Sequence, residues 1–212
     1  VYITPPREAQ SGSWKVWKLK KALYGLNDAA RQFYMSVEEQ LYKLCLKRCS
    51  TDPALFIWEQ KGEVKGLLAT HVDDFMHCGV PEFDDIMDRL RKRFIAGKLE
   101  EKSFAYVGFD IEQTEDYILL NQQHYMEDLP SKTVNPSRAR QKEANLSKDE
   151  NKLFRSLVGK CNWAARGTRP DLAYEVVDLS TKFNNASVED LVRVVKLVHK
   201  LRSESGNAFI KY

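Results

Sequence analysis

The sequence predicts an α+β fold, with strands and helices over residues 1–129 and mainly helices over 150–212. Three observations predict it. Residues 54–79 contain successive strand-like runs broken by turn residues, the pattern of an antiparallel meander. Apolar residues recur at spacings of three and four near 30–44, 83–94 and 150–203, the period of half-buried helices. Between the two regions, residues 130–149 hold two prolines, three serines and many charges but few apolar residues, which reads as a linker or long loop.

The elements follow in order. Pro5-Pro6 and Gln10-Ser11-Gly12-Ser13 predict an irregular start over 1–13. In Trp14-Lys15-Val16-Trp17-Lys18-Leu19-Lys20-Lys21 lysines interleave with aromatic and aliphatic residues. Such a strand either meets phosphates through its lysines or is an edge strand shielded by them. Asn27 is a good N-cap for a helix whose stripe is Ala30, Phe33, Tyr34, Val37, Leu41 and Leu44, expected to run to about Leu46. Gly25 just ahead of it permits a backbone conformation or a close ligand approach that a side chain would forbid. Arg31 opposes the helix dipole in the first turn, which an anionic ligand, a carboxylate partner or plain solvation would explain.

Ala54–Glu59 reads as a strand, 60–63 as a turn, and Val64 onward as the strand entering Asp73-Asp74. Pro81 opens a helix carrying Phe83, Ile86, Leu90 and Phe94. Ala105–Glu112 and Tyr117–Leu120 predict a second hairpin across Thr114-Glu115-Asp116, followed by a short helix near 122–129. Helical patterns then cover 150–166, 170–183 and 188–203, the last opened by Ser187 and Asp190 at capping-box spacing. Ala208–Tyr212 looks like the opening of another strand.

The stretch Gly66–Gly79 organises the chain. An apolar run reaches two adjacent carboxylates, and a second short run leaves them, so a hairpin puts Asp73 and Asp74 at its tip. Neighbouring carboxylates repel, and a hard divalent cation would relieve the repulsion, although Asp is also common in turns.

Composition excludes several classes. The 212 residues fit one large domain or two small ones, with 43% hydrophobic and 30% charged residues. A net charge of +3 is too small to indicate nucleic-acid binding without local clustering. No run of 18 apolar residues is present, so no membrane span is expected, and the start has no signal-peptide pattern. The absence of an initial Met reads as a piece of a longer or processed polyprotein. Cys45, Cys49, Cys78 and Cys161 lack disulfide or zinc-ribbon spacing; a zinc site from Cys45, Cys49, His71 and His77 is conceivable, and reduced thiols in an intracellular protein are expected instead.

Three stretches together resemble the reverse transcriptase of copia-like LTR retrotransposons. Leu19-Lys20-Lys21-Ala22-Leu23-Tyr24-Gly25-Leu26-Asn27-Asp28-Ala29-Ala30-Arg31-Gln32-Phe33-Tyr34 is similar to that family's "K-x-LYGLKQAPRxWY" element. His71-Val72-Asp73-Asp74 matches its "Y-V-D-D", with His71 in place of Tyr. Leu157-Val158-Gly159 with Thr168-Arg169-Pro170-Asp171-Leu172-Ala173-Tyr174 is similar to its "LVG…TRPDIxYAV" segment, and Val1-Tyr2-Ile3 with Pro5-Pro6 to "VYMxQPP". Asp28 and Ala30 depart from the family's Gln and Pro.

The resemblance implies a partial polymerase palm and the start of the thumb over 1–129, with the catalytic Asp-Asp hairpin backed by helices, and a helical thumb or connection region over 150–212. It implies RNA-directed DNA polymerisation with Mg²⁺ (or Mn²⁺) on Asp73 and Asp74 and nucleotide or template contacts at Gly25, Arg31 and His71. Lys15, Lys18, Lys20 and Lys21 would meet the nucleic-acid backbone. Implied partners are an RNA or DNA primer-template, deoxynucleoside triphosphates and other parts of a parent polyprotein (integrase, RNase H), with no membrane. The location implied is intracellular, either a cytoplasmic virus-like particle or the nucleus. The family's other catalytic Asp precedes the "VYMxQPP" stretch, so this chain alone is expected not to polymerise DNA. A non-catalytic nucleic-acid-binding relic of a transposable element is the alternative.

Overall fold

A computed structural model describes residues 2–9, 16–20, 23, 25–94 and 97–212. It is a mixed helix and sheet structure with antiparallel sheets, in two compact units, 1–98 and 99–212. The division falls ahead of the 129/130 boundary expected from the sequence. The cause is strand pairing: the last strand of the chain adds to strands formed by residues 103–121.

In the first unit, β1 (Tyr2–Ile3) pairs antiparallel with β2 (Trp17–Lys18). The start is therefore not wholly irregular, and residues Arg7–Ala9 add a 3₁₀ turn. Only Trp17–Lys18 of the basic stretch is strand among the described residues, and Lys15 and Lys21 lie outside those residues.

Helix α1 (Ala29–Lys43) buries Val37 and Leu41 and stops sooner than its apolar stripe suggests. Asp28, not Asn27, holds the N-cap place, in helical conformation and with no side-chain cap. At the far end Cys45 turns left-handed (φ 65), and the chain leaves as β3 (Leu46–Arg48). A left-handed residue past the last turn is a common helix stop, and here a cysteine fills the place usually taken by glycine.

Strands β3, β4 (Leu55–Gln60), β5 (Glu63–His71) and β6 (Asp74–Gly79) form an antiparallel sheet in that order, so the expected meander is present. β6 is the terminal strand, with none beyond it among the described residues. One face of the sheet presents Leu46, Phe56, Trp58 and Leu68 to Val37 and Leu41 of α1 and to Phe83, Met87 and Leu90 of α2 (Pro81–Phe94). Gly66 lies in this face because Phe83, stacked with Trp58 at 5.6 Å, occupies the space of its absent side chain.

The second unit opens with β7 (Ser103–Tyr106), β8 (Phe109–Gln113) and β9 (Ile118–Asn121). The run 105–112, expected as one strand, breaks at Val107-Gly108, where both residues have positive φ (51 and 78) and reverse the chain. Helix α3 (Gln123–Glu127) follows, then α4 (Pro136–Ala139) inside 130–149. That segment is tethered, with Val134 and Leu146 packed on the core and Arg138 forked onto Glu150 at 2.8 Å.

Helices α5 (Lys148–Gly167), α6 (Ala173–Thr181) and α7 (Val188–Ser203) form the second core through Phe154, Leu157, Cys161, Leu179, Val194 and Leu201. Both α5 and α7 begin with capping boxes, Ser147 with Glu150 and Ser187 with Asp190. β10 (Phe209–Lys211) closes the order β10-β9-β8-β7.

The Arg138 guanidinium, followed by the Ser147 cap, lowers the Glu150 carboxyl to about 2. A depressed folded-state pKa stabilises above the unfolded value and is lost as pH falls through the folded one. Glu150→Gln should therefore lower stability by about 1–2 kcal/mol at neutral pH, after allowing for solvent screening. The loss should shrink between about pH 4.5 and 2, as urea melts across that window would record.

Candidate active site at the Asp73-Asp74 hairpin

The hairpin is built from the register of β5 and β6. Leu68 pairs with His77, Thr70 with Phe75, and His71 with Asp74, leaving Val72 and Asp73 as a two-residue turn. Phe75 packs against the buried core, which anchors the strand one residue beyond Asp74. His77 holds β6 to α2, with Nε2 3.5 Å from Asp84 and its ring 6.1 Å from Phe83. The tip is thus carried on strands fixed by a core.

His71, Val72, Asp73 and Asp74 are all exposed. Because side chains alternate along a strand, His71 and Asp74 share the sheet face opposite the helices. No hydrogen bond or ion pair engages Asp73 or Asp74 among the described residues, so their oxygens are open to solvent and ligands. An adjacent pair of accessible carboxylates offers hard oxygen donors of the kind that could hold a divalent cation such as Mg²⁺ or Mn²⁺. Among the described residues no group of three or more His, Cys, Asp or Glu side chains is placed to hold a metal ion. The four cysteines are free.

Sequence reasoning missed one feature of the tip. Val72 has φ 54, a left-handed conformation that a β-branched residue avoids. The hairpin at Lys61-Gly62 puts glycine in its turn (φ 52 and 79), whereas Val72-Asp73 has none. Holding Val72 there stores roughly 1–3 kcal/mol, as strained residues at functional turns do. Val72→Gly should accordingly raise stability by about 1 kcal/mol net of glycine's extra unfolded-state entropy, measurable by urea titration; a loss would mean the turn is unstrained.

The other predicted residues sit around this end of the sheet or away from it. Tyr34 donates to the Pro53 carbonyl at 2.7 Å, and Thr70 N–H donates to the Ala54 carbonyl at 2.9 Å. These bonds place the first turns of α1 at the same end of the sheet as the tip. Arg31, one turn before Tyr34, is exposed and has no ion pair among the described residues. Gly25 has φ 93, so its turn requires glycine, and among the described residues nothing lies within 4 Å of an added Cβ. Lys18 and Lys20 are exposed. Asp110 belongs to the second unit, where it meets His124 Nδ1 at 2.9 Å.

The family model for reverse transcriptase (RNA-dependent DNA polymerase) matches residues 1–135. The chain is 26% identical over 205 residues to the retrovirus-related Pol polyprotein from transposon RE1 of Arabidopsis thaliana, covering 91% of this chain and 14% of that protein. The corresponding polyprotein from transposon RE2 of the same plant is 26% identical, over 78% of this chain and 12% of its own length. That from transposon TNT 1-94 of Nicotiana tabacum is 25% identical, over 98% of this chain and 17% of its own length. The chain thus spans less than a fifth of each of these relatives. No solved structure matches it. With a hairpin of two accessible carboxylates inside a match that covers more than half of its length, the chain belongs to the reverse transcriptase (RNA-dependent DNA polymerase) family.

Proposed function

We propose that the β5–β6 hairpin supplies carboxylates of a two-metal DNA polymerase site, with Asp73 the principal ligand and Asp74 assisting. The observation that carries this reading is the accessible, unpaired Asp pair on a core-anchored hairpin within the reverse transcriptase match. The first unit would be palm, and the helices of the second unit thumb or connection. His71, Gly25 and Arg31 would orient nucleotide and template, and Lys15, Lys18, Lys20 and Lys21 would hold the primer-template backbone. Bound Mg²⁺ or Mn²⁺ would activate the primer hydroxyl and neutralise the triphosphate.

Two carboxylates on one turn approach a cation from one side only. A two-metal site would need a further carboxylate, supplied from a second strand. The edge of β6, with no strand beyond it among the described residues, is where such a strand would pair. The 212-residue chain is therefore expected to show weak Mn²⁺ binding at most, lost on Asp73→Asn. A longer polypeptide with an Asp-bearing strand ahead of Val1 should extend a primer on an RNA template. Extension by the 212-residue chain itself would show that the site is completed within it.

A further inference from the structure

The sheet of the second unit ends at β10, with no strand beyond it among the described residues. Tyr212 and Ile118 exchange both backbone hydrogen bonds, at 2.9 and 3.0 Å. In an antiparallel ladder such pairs alternate, so Ile210 bonds to Leu120, and the backbone groups of Phe209 and Lys211 point away from β9. An edge of this kind is a template for another strand unless proline, a bulge or a charge guards it. β10 holds no proline, and its register with β9 runs without a break. The Lys211 ammonium is turned back over the Tyr117 ring, 4.1 Å from its centre.

Beside this edge lies a cavity of about 410 Å³ whose wall includes Ala208, Phe209 and Ile210. The charged side chains lining it are Arg169, Asp171 and Glu204. Arg169 is only 5% exposed; its Nε and Nη2 fork onto Asp171 at 2.9 and 2.7 Å, and Nη2 also reaches Glu204 at 2.7 Å. One buried guanidinium thus sits between two carboxylates that are each about half exposed, so the charge a ligand meets in the cavity is negative. Nη1 of Arg169 is buried and has no acceptor among the described residues. A buried donor left unpaired is costly, and an oxygen brought to it recovers that cost. Two carboxylates already hold the guanidinium, so the acceptor that fits is a neutral carbonyl and not a third anion.

We propose that β10 and this cavity form a docking site for an extended, basic peptide segment. The segment pairs with Phe209 and Lys211 as a fifth strand, sends a lysine or arginine side chain toward Asp171 and Glu204, and brings a main-chain carbonyl to Arg169. Main-chain pairing supplies the affinity, and the two carboxylates supply the preference for a basic residue. The inference goes beyond the polymerase reading and uses no residue of the Asp73-Asp74 hairpin.

The test follows the anisotropy of a fluorescein-labelled peptide of about seven residues, valine and threonine alternating around a central lysine, with the 212-residue chain. Replacing that lysine with glutamate should weaken binding about tenfold, and Asp171→Asn with Glu204→Gln in the protein should abolish the difference between the two peptides. Phe209→Pro deletes an outward N–H, a change that edge strands tolerate, and should lower affinity about fivefold or more, while Phe209→Val stays near wild type. Where either protein variant fails to fold, hydrogen exchange of the wild type decides: saturating peptide should slow exchange of the Phe209 and Lys211 amides about tenfold. Equal affinity for the lysine and glutamate peptides overturns the proposal. So does wild-type affinity in a folded Phe209→Pro, or unchanged exchange of those two amides. A dimer in sedimentation velocity that Phe209→Pro dissociates and the peptide does not also overturns it, assigning the edge to a second copy of this chain.

Discussion

Asp73→Asn, in a polypeptide long enough to extend primers, should reduce extension by about a thousandfold or more, beyond the loss seen for one electrostatic donor in other active sites. The substitution keeps the shape of the side chain and removes its charge. An amide presents one neutral oxygen where the carboxylate presented two anionic ones, so affinity for a hard cation falls with little change in packing. Asp73 is exposed and unpartnered among the described residues, so stability should stay within about 0.5 kcal/mol of wild type. That separation of activity from stability is the signature sought. Asp74→Asn, at the first residue of β6 and opposite His71, should cost less, about ten- to a hundredfold. Full activity of Asp73→Asn would remove the assignment on which the polymerase reading turns.

The second large effect concerns stability and contrasts two glycines of α5. A Cβ on Gly167 would lie 2.7 Å from Gln122 Cδ and 2.9 Å from a Phe109 ring carbon. Gln122 is fully buried, and its Oε1 accepts from both the N–H and the hydroxyl of Thr168 at 3.1 Å. Gly167→Ala must either push this amide away, leaving two buried donors unpaired, or move the end of α5. Overpacking and broken hydrogen bonds together predict a loss of about 3 kcal/mol or more. Gly159→Ala on the same helix, where among the described residues nothing lies within 4 Å of the added Cβ, should instead gain about 1 kcal/mol. Denaturant melts of both variants decide it, and a neutral Gly167→Ala would mean that Gln122 can relocate at little cost.

What was legible in the sequence followed from short-range chemistry. The Asp hairpin, α7 with its Ser187–Asp190 cap, and the final strand all rest on period, capping and turn residues that act within a few positions. The misplaced boundaries were decided by contacts or conformations without such a local mark. Leu46–Arg48 extends the α1 stripe in sequence, yet pairs with β4 because Cys45 adopts a left-handed turn that its identity does not announce. Val107-Gly108 breaks a run of β-forming residues through the one glycine in it, a signal present but read as strand interior. The division at 98/99 depends on β10 pairing with β9, residues nearly ninety apart in the chain. At the site, the carboxylates were legible and the strain at Val72 was not, since valine is a favoured strand residue and its left-handed conformation is set by the two-residue turn.

The edge of β6, unpaired among the described residues, has a practical consequence. A terminal strand can accept a donor strand in trans through the hydrogen bonds it would make in cis, at the added cost of bringing two chains together. The chain therefore lends itself to a split-enzyme arrangement, in which a separate peptide bearing the bridging carboxylate docks on β6. On the proposed two-metal reading, turnover should appear only on mixing the two pieces, with a rate that saturates as the peptide fills the edge. Complementation of that kind would make strand pairing itself the switch, and would let peptide sequence be varied independently of the hairpin it completes.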